Sequence, residues 1–386
     1  MRSDSPNLFC LKKFYRTAII KNGHIDLSDV VRVNTKILEK QFLNEGDLLI
    51  CARNGSRRLV GKNAIISQLD EPAAFGAFMA VCRSSYNPWI CLVLNTTYFD
   101  RYLDDSNSAT INQVTQSMLL AFPVPFPPKN EQDRIINEVA QLESVVANIN
   151  DNIDCLNTVI KQTKSKILNL AIHGKLVPQA PTDEPAYELL KRINPKAEIT
   201  CDNPHYRKLP KGWIIAHLSN IAEIKNGYAF KSSNYISSNG IRIIRIANVQ
   251  DGFIEDKTPQ YYPKESCDDI EKFFLKEKDL LMSLTGNVGR VGLLPQSFLP
   301  AALNQRVACI RENELLIDKE YLYYLFQSNE FQRKCIKSAK GVAQLNISTE
   351  WIKCYQIPIP PLAEQKRIVE TISLLFANLR MIEASL

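Results

Sequence analysis

The stretch EKQFLNEGDLL at residues 39–49 returns as EKFFLKEKDLL at residues 271–281, with eight of eleven positions identical at a constant offset of 232. A repeat of this quality means one module used twice, and it sets the logic for the rest of the chain. Working outward, FPPKNEQDRII (126–136) matches IPPLAEQKRIV (359–369). Pro127, Pro128, Glu131, Gln132, Arg134 and Ile135 thereby pair with Pro360, Pro361, Glu364, Gln365, Arg367 and Ile368 at offset 233. Between these anchors AAFGAFMAVCR (73–83) parallels AALNQRVACIR (301–311), and the turns Asn54-Gly55 and Thr285-Gly286 follow the two DLL strands at corresponding points. The expected fold class is mixed α/β, with two globular domains forming a pseudo-twofold internal repeat.

After each Pro-Pro pair the pattern changes period. From Glu131 to about His173 there is no Pro or Gly, and apolar residues recur at Ile135, Val139, Leu142, Val146, Ile149, Ile153, Leu156, Ile160, Ile167 and Leu170. Alternating steps of four and three describe a coiled-coil seam that needs a helical partner. At 1.5 Å per residue the helix is roughly 65 Å long, enough to act as a spacer. The second copy repeats the register at Ile368, Ile372, Leu375, Leu379, Ile382 and Leu386. The expectation is an antiparallel pair of helices with one module at each end; an amphipathic helix lying on its own domain is the plainer alternative.

Composition excludes more than it identifies. The net charge of +6 and pI near 8.7 permit a polyanionic partner without naming one. No run of eighteen apolar residues and no signal-like start is present, so a cytoplasmic protein without a membrane span is expected. Ten cysteines, among them Cys51, Cys155, Cys267 and Cys354, include no CxxC pair and no neighbouring His cluster, which argues against zinc and disulfide frameworks.

Four further stretches carry a resemblance: PIPPLAEQKRIVE from Pro358, a helix ending ILNLAIHGKLVPQ around Gly174 to Gln179, then PTDEPAYELLKRI, and finally LPKGWIIAHL. Together they resemble the specificity subunit of type I restriction-modification enzymes over nearly the whole chain. The resemblance implies two target recognition domains, each reading half of an interrupted site in double-stranded DNA, on a helical scaffold where methyltransferase subunits, and through them restriction subunits, dock. It implies a first recognition domain at 1–128, a spacer helix at 129–176, a linker at 177–210, a second recognition domain at 211–361 opening with Trp213, and a second spacer helix at 362–386. Aligning Gly23 with Gly252 leaves Met1 opposite a point near Phe230, so the first domain is expected to lack its opening strand and an equivalent of Trp213. The second helix is expected to leave the seam from Leu156 onward without a partner.

Reading DNA needs phosphate contacts for register and a few side chains that reach base edges. In the second module the candidates are Lys225, Tyr228 and Lys231 in EIKNGYAFKSSNY, and Arg242, Arg245 and Asn248 in GIRIIRIANV. Arg suits guanine and Asn suits adenine. Thr285, Asn287 and Arg290 lie in TGNVGRVG, either a phosphate-binding turn or an ordinary Gly-rich hairpin. Asn304, Gln305 and Arg306, with Gln344 and Asn346, form polar clusters that the resemblance puts near the groove. Arg53, Asn54, Arg57 and Arg58 are the first module's counterparts, a basic turn or a solvated loop. Tyr228 and Phe230 could stack on bases or pack in a core.

Catalytic patterns are absent from the sequence. Asn203-Pro204-His205-Tyr206 sits in a polar linker, not after a strand as a methyltransferase motif would, and the four histidines form no ligand or triad pattern. The chain is therefore expected to hold no cofactor of its own, with S-adenosylmethionine, ATP and magnesium in partner subunits. A competing reading is a non-catalytic coiled-coil assembly protein with one working recognition module.

Overall fold

The computed structural model describes residues 12–21, 23–34, 37–106, 112–197, 199–200, 209–264, 270–341 and 344–386. The Asn203–Tyr206 string and residues 1–11 lie outside them. The chain divides into two units, Met1–Asn150 and Asp151–Leu386.

The first unit runs β1 (Lys12–Tyr15), β2 (Ile20–Lys21), β3 (His24–Ile25), β4 (Val31–Val33), β5 (Leu48–Cys51), β6 (Asn63–Ile65), β7 (Ala73–Phe75) and β8 (Met79–Cys82). Helices α1 (Asn87–Leu94), α2 (Thr97–Ser106) and α3 (Gln116–Ala121) follow, and then α4 (Lys129–Ile172), which begins in this unit and ends in the second. The second unit continues with α5 (Ala186–Ile193), β9 (Ile199–Thr200), β10 (Ile214–His217), β11 (Ala222–Asn226), β12 (Ile241–Ile244), β13 (Tyr261–Tyr262), β14 (Leu280–Ser283), β15 (Val291–Leu293), β16 (Ala301–Leu303) and β17 (Val307–Glu312). It closes with α6 (Lys319–Gln327), α7 (Asn329–Ser338), α8 (Thr349–Cys354), β18 (Gln356–Ile359) and α9 (Leu362–Ala384).

The repeat in sequence is a repeat in topology. Strand order β4-β1-β7, with β1 and β7 parallel, recurs as β13-β12-β16 with β12 and β16 parallel. Order β6-β5-β8 recurs as β15-β14-β17, extended by β11. Each DLL motif is the buried central strand, β5 or β14, of its antiparallel sheet.

The Asp of that motif explains why the whole stretch recurs. Asp47 takes Arg83 Nε at 3.1 Å, and Arg83 Nη2 donates to the Phe42 carbonyl at 2.6 Å. In the second unit Arg311 Nη2 reaches Asp279 at 2.6 Å and the Phe274 carbonyl at 3.0 Å. Both carboxylates also cap their own turn, through Asn44 N–H at 2.9 Å and Lys276 N–H at 2.8 Å. One buried acid thus ties the turn before the central strand to the end of the neighbouring strand. Its carboxylate raises the Arg311 guanidinium pKa above its ordinary value, against the opposing effect of burial. Asp279→Ala strands a largely buried guanidinium and is expected to cost about 3 kcal/mol, read as a lower urea midpoint for the second unit.

The units differ at one edge. In the second, β10 pairs antiparallel with β18, Ile214 opposite Ile359 and Ala216 opposite Ile357. Trp213 enters just before it, and its indole N–H donates to the buried Glu364 carboxylate at 3.0 Å while Gln179 Nε2 donates at 2.6 Å. Burial pushes the Glu364 carboxyl up, opposed by these two hydrogen bonds and by Arg367. Arg367 is itself paired with Asp183 at 2.6 Å. Among the described residues the first unit has no strand matching β10 or β11.

The helices depart in part from the expected seam. Lys164 meets Glu383 at 2.8 Å, while Asp183 and Gln179, beyond the end of α4, meet Arg367 and Glu364 in the first turns of α9. Within the second unit, then, the end of α4 and α9 run antiparallel. Ile160, Ile167, Ile368 and Ile372 are buried, and Leu170, Leu375 and Leu379 are half-buried. Ile135, Val139 and Ile153 are also half-buried, but Leu142 (58 %), Val146, Ile149 and Leu156 are exposed, as are Ile382 and Leu386. Within the second unit the last turns of α9 lie opposite Lys164, about two helical turns beyond Leu156. Nor is α9 a pure coiled-coil strand. It packs on α6, where Tyr324 stands edge-on to Phe376 at 5.8 Å, so the plainer amphipathic reading holds for that face. No helix among the described residues is long and apolar enough to cross a membrane.

Candidate nucleic-acid interface

The parallel pairing of β12 with β16 brings their C-terminal ends to one rim, and β14 ends beside the start of β17 at the same edge. Backbone hydrogen bonds stitch the residues that follow: Asn304 N–H to Ile244 O (3.1 Å), Gln305 N–H to Tyr228 O (2.9 Å), Leu284 N–H to Arg306 O (3.0 Å) and Gly286 N–H to Leu345 O (2.8 Å). Thr285 Oγ1 lies 3.2 Å from Asn346 Oδ1. The rim therefore gathers Tyr228, Thr285, Asn304, Gln305, Arg306, Gln344 and Asn346 from four separate stretches of sequence. Gln305, Arg306, Gln344 and Asn346 are exposed, and Tyr228 is exposed while its ring leans on Phe230 and Phe273. Gly227 is required there, because a Cβ would lie 2.2 Å from the Asn304 carbonyl oxygen.

Other predicted residues use their polar groups inside the module. Arg242 pairs with the buried Asp256 at 2.9 Å and stacks over Phe298 at 4.6 Å. Asn248 is buried, its amide donating to Glu255 O and to Asp256 at 2.9 Å. Arg245 sits at the rim but donates to Thr258 O at 2.7 Å, and its Nε is buried without a partner. It faces Tyr235, whose phenol burial pushes up against the opposing effects of Arg245 and a hydrogen bond with Asn304. Lys225 pairs with Glu223 at 3.3 Å, and Lys231 and Asn287 are exposed. Arg290 reaches Gln250 at 3.4 Å.

The glycine-rich turn serves packing. Gly289 has φ +80°, and a Cβ there would come within 2.8 Å of Cys335 Sγ on α7; Gln332 Nε2 donates to its carbonyl at 2.7 Å. With Val288 buried, this turn docks on a helix.

The first unit has a rim at the matching place with different chemistry. Ala52 N–H donates to Phe78 O at 2.9 Å as Leu284 does to Arg306, and Gly76 N–H donates to Tyr15 O at 3.2 Å as Asn304 does to Ile244. Gly76, Ala77 and Phe78 thus stand where the second unit has Asn304, Gln305 and Arg306. Arg53 is exposed and lies over the Phe78 ring at 5.7 Å, opposite Gln113. Asn54 bonds Thr17 Oγ1 at 3.0 Å, Arg57 pairs with Asp104 at 2.6 Å, and Arg58 is exposed. Sequence reading missed Arg16, which is exposed and follows β1 as Arg245 follows β12. The signal was there: KFYRTA at 13–18 has the basic residues and the alanine of RIIRIA at 242–247 at the same spacing. No group of three or more His, Cys, Asp or Glu residues among the described residues is arranged to hold a metal ion.

Residues 210–385, which hold the whole second rim, match the family model of the type I restriction modification DNA specificity domain. They belong to that family. The chain is 31% identical over 307 residues to the specificity subunit of the type I restriction enzyme EcoAI from Escherichia coli, a match covering 64% of this chain and 52% of that one. It is 25% identical over 386 residues to the EcoKI specificity subunit of Escherichia coli strain K12, covering 94% and 75%. It therefore spans about half the length of the first relative and three quarters of the second. The fold is similar to that of the HsdS subunit from Thermoanaerobacter tengcongensis, with TM-score 0.56 at 16% identity over 98% of this chain and 86% of that one. A chain in a solved type I R-M system gives TM-score 0.65 at 16% identity over 98% and 87%.

Within this specificity domain the two kinds of arginine separate by stability. Arg242→Ala leaves the buried Asp256 carboxylate without its cation, with only the Asn248 amide still donating to it, and is expected to cost about 3 kcal/mol. Arg306→Ala, at an exposed position, is expected to stay within about 0.5 kcal/mol of the parent. Urea unfolding of both variants checks the division.

Proposed function

We propose that the chain binds double-stranded DNA sequence-selectively through one rim on each unit, and that it is the site-selecting, non-catalytic subunit of a type I restriction-modification complex. The observation that carries this reading is the second rim, where an exposed arginine stands among exposed amides and a tyrosine at the ends of rigid strands. Arg306 and Lys231 suit phosphate, which fixes register, while Gln305, Gln344 and Asn346 offer the paired donor and acceptor that a base edge requires. The first unit holds the corresponding place with Arg16, Arg53, Asn54, Phe78 and Gln113, so the two rims read different half-sites.

Methyltransferase subunits, and restriction subunits through them, supply S-adenosylmethionine, ATP and magnesium. The exposed part of the α4 seam is the surface on which helices of such partners dock in the cytoplasm. The alternative, an assembly scaffold with one working module, draws support from the smaller, less polar Gly76-Ala77-Phe78 rim.

Fluorescence anisotropy on duplexes enriched from a random library tests the reading. Affinity is expected to fall steeply with salt. Arg306→Ala is expected to weaken all sequences alike and lower the salt slope by about one, whereas Gln305→Ala relaxes selectivity at one base pair by about 1–3 kcal/mol. Salt-independent binding, or the same effect from both variants, contradicts the proposal.

A further inference from the structure

The exits of β1 and β12 follow one backbone plan with different side chains. In the second unit Asn248 N–H donates to Arg245 O at 2.9 Å and Glu255 N–H to Asn248 O at 2.9 Å. In the first, Ile19 N–H donates to Arg16 O at 3.2 Å and Asp26 N–H to Ile19 O at 2.8 Å. Arg16 therefore stands at the place of Arg245, Ile19 at that of Asn248, and Leu27, next after Asp26, at that of Asp256.

The second unit runs a buried polar relay through this turn. Arg242 Nη1 donates to Asp256 Oδ2 at 2.9 Å, Asn248 Nδ2 donates to Asp256 Oδ1 at 2.9 Å, and Asn248 Oδ1 accepts the backbone N–H of Arg245 at 2.8 Å. In the first unit Ile19 is buried and apolar, Leu27 is 48 % exposed, and Lys13, in the place of Arg242, pairs instead with Asp70 at 2.7 Å. The same turn is thus built without the relay inside the same chain. Burying a carboxylate and an amide costs desolvation that apolar side chains avoid, so forming the turn gives no reason for Asn248 and Asp256.

What the relay holds is Arg245. Asn248 takes both backbone polar groups of that residue, the N–H through its side chain and the carbonyl through its own N–H. One residue earlier, Ile244 O accepts Asn304 N–H, so Arg245 leaves the strand directly into the rim. Its guanidinium makes one hydrogen bond among the described residues, from Nη2 to Thr258 O at 2.7 Å, and its buried Nε makes none. A guanidinium carries its N–H donors in a rigid fork. An arginine pinned at its backbone and at one nitrogen, with the rest of the fork unspent, suits a fixed pair of acceptors such as O6 and N7 of guanine. Pinning also lowers the ordering cost of binding.

We infer, on the DNA-binding reading above, that Asn248, held by Asp256 and Arg242, is a positioning residue that aims Arg245 at a guanine in the half-site read by the second unit. The relay is kept for that aim and not for the fold.

Selection of bound duplexes from a random library, run on the full chain and two variants, tests this. The first variant makes the relay apolar as a set, Arg242→Leu with Asn248→Ile and Asp256→Leu, so that no charge is stranded. The second, Arg245→Gln, keeps the backbone N–H that the relay holds. The triple variant is expected to unfold cooperatively in urea, and both variants are expected to lose about tenfold of the preference for G·C at one and the same position, with the other positions unchanged. A triple variant that does not fold overturns the inference, because the relay then serves the fold. Losses at different positions, or equal weakening on all sequences, overturn it as well. A parent that enriches no sequence fails the DNA-binding reading itself and takes this step with it, whereas a selective parent whose variants keep its full selectivity overturns this step alone.

Discussion

The buried carboxylate of the repeated motif is the interaction on which each unit depends. Asp47 and Asp279 sit at the entrance of the central strand, cap the turn that precedes it, and hold the arginine at the end of the neighbouring strand against the carbonyl of a phenylalanine five residues upstream. A charge in that place costs desolvation, and it is tolerated because every oxygen is satisfied. The phenylalanines held by the clasp, Phe42 and Phe274, bridge to Ala74 on β7 and Ala302 on β16, and the residues just beyond the parallel pairs β1–β7 and β12–β16 form the rims.

This division of labour accounts for what could be read from the chain alone. The repeat, the long helix after each Pro-Pro pair and the Trp213 entry depend on local patterns and on residues that must recur, so they were legible. The Asp–Arg clasp was visible only as identity between EKQFLNEGDLL and EKFFLKEKDLL; its purpose required seeing Arg83 and Arg311 arrive from 36 and 32 residues away. The rim was harder still. Arg242 and Arg245 lie on one strand and its exit, yet Arg242 is pledged to Asp256, a partner that no spacing rule announces. Asn304 to Arg306 and Gln344 to Asn346 are separated in sequence and meet only because β14, β16 and β17 end at one edge.

The seam shows the opposite failure. Its heptad pattern is real in sequence, but a pattern specifies that a helix wants a partner and not which chain supplies one. In the second unit α9 and the end of α4 answer each other from Ile160 onward, while Leu142, Val146, Ile149 and Leu156 stay exposed.

The central claim is that matching rims of unlike chemistry read unlike half-sites. Replacing Asn304, Gln305 and Arg306 with Gly, Ala and Phe, the residues the first unit carries there, and then selecting bound duplexes from a random library tests it most directly. The account predicts a two-part recognition sequence for the parent and a change confined to one part in the variant. Enrichment of no sequence by the parent, or an unchanged recognition sequence in the variant, would contradict it.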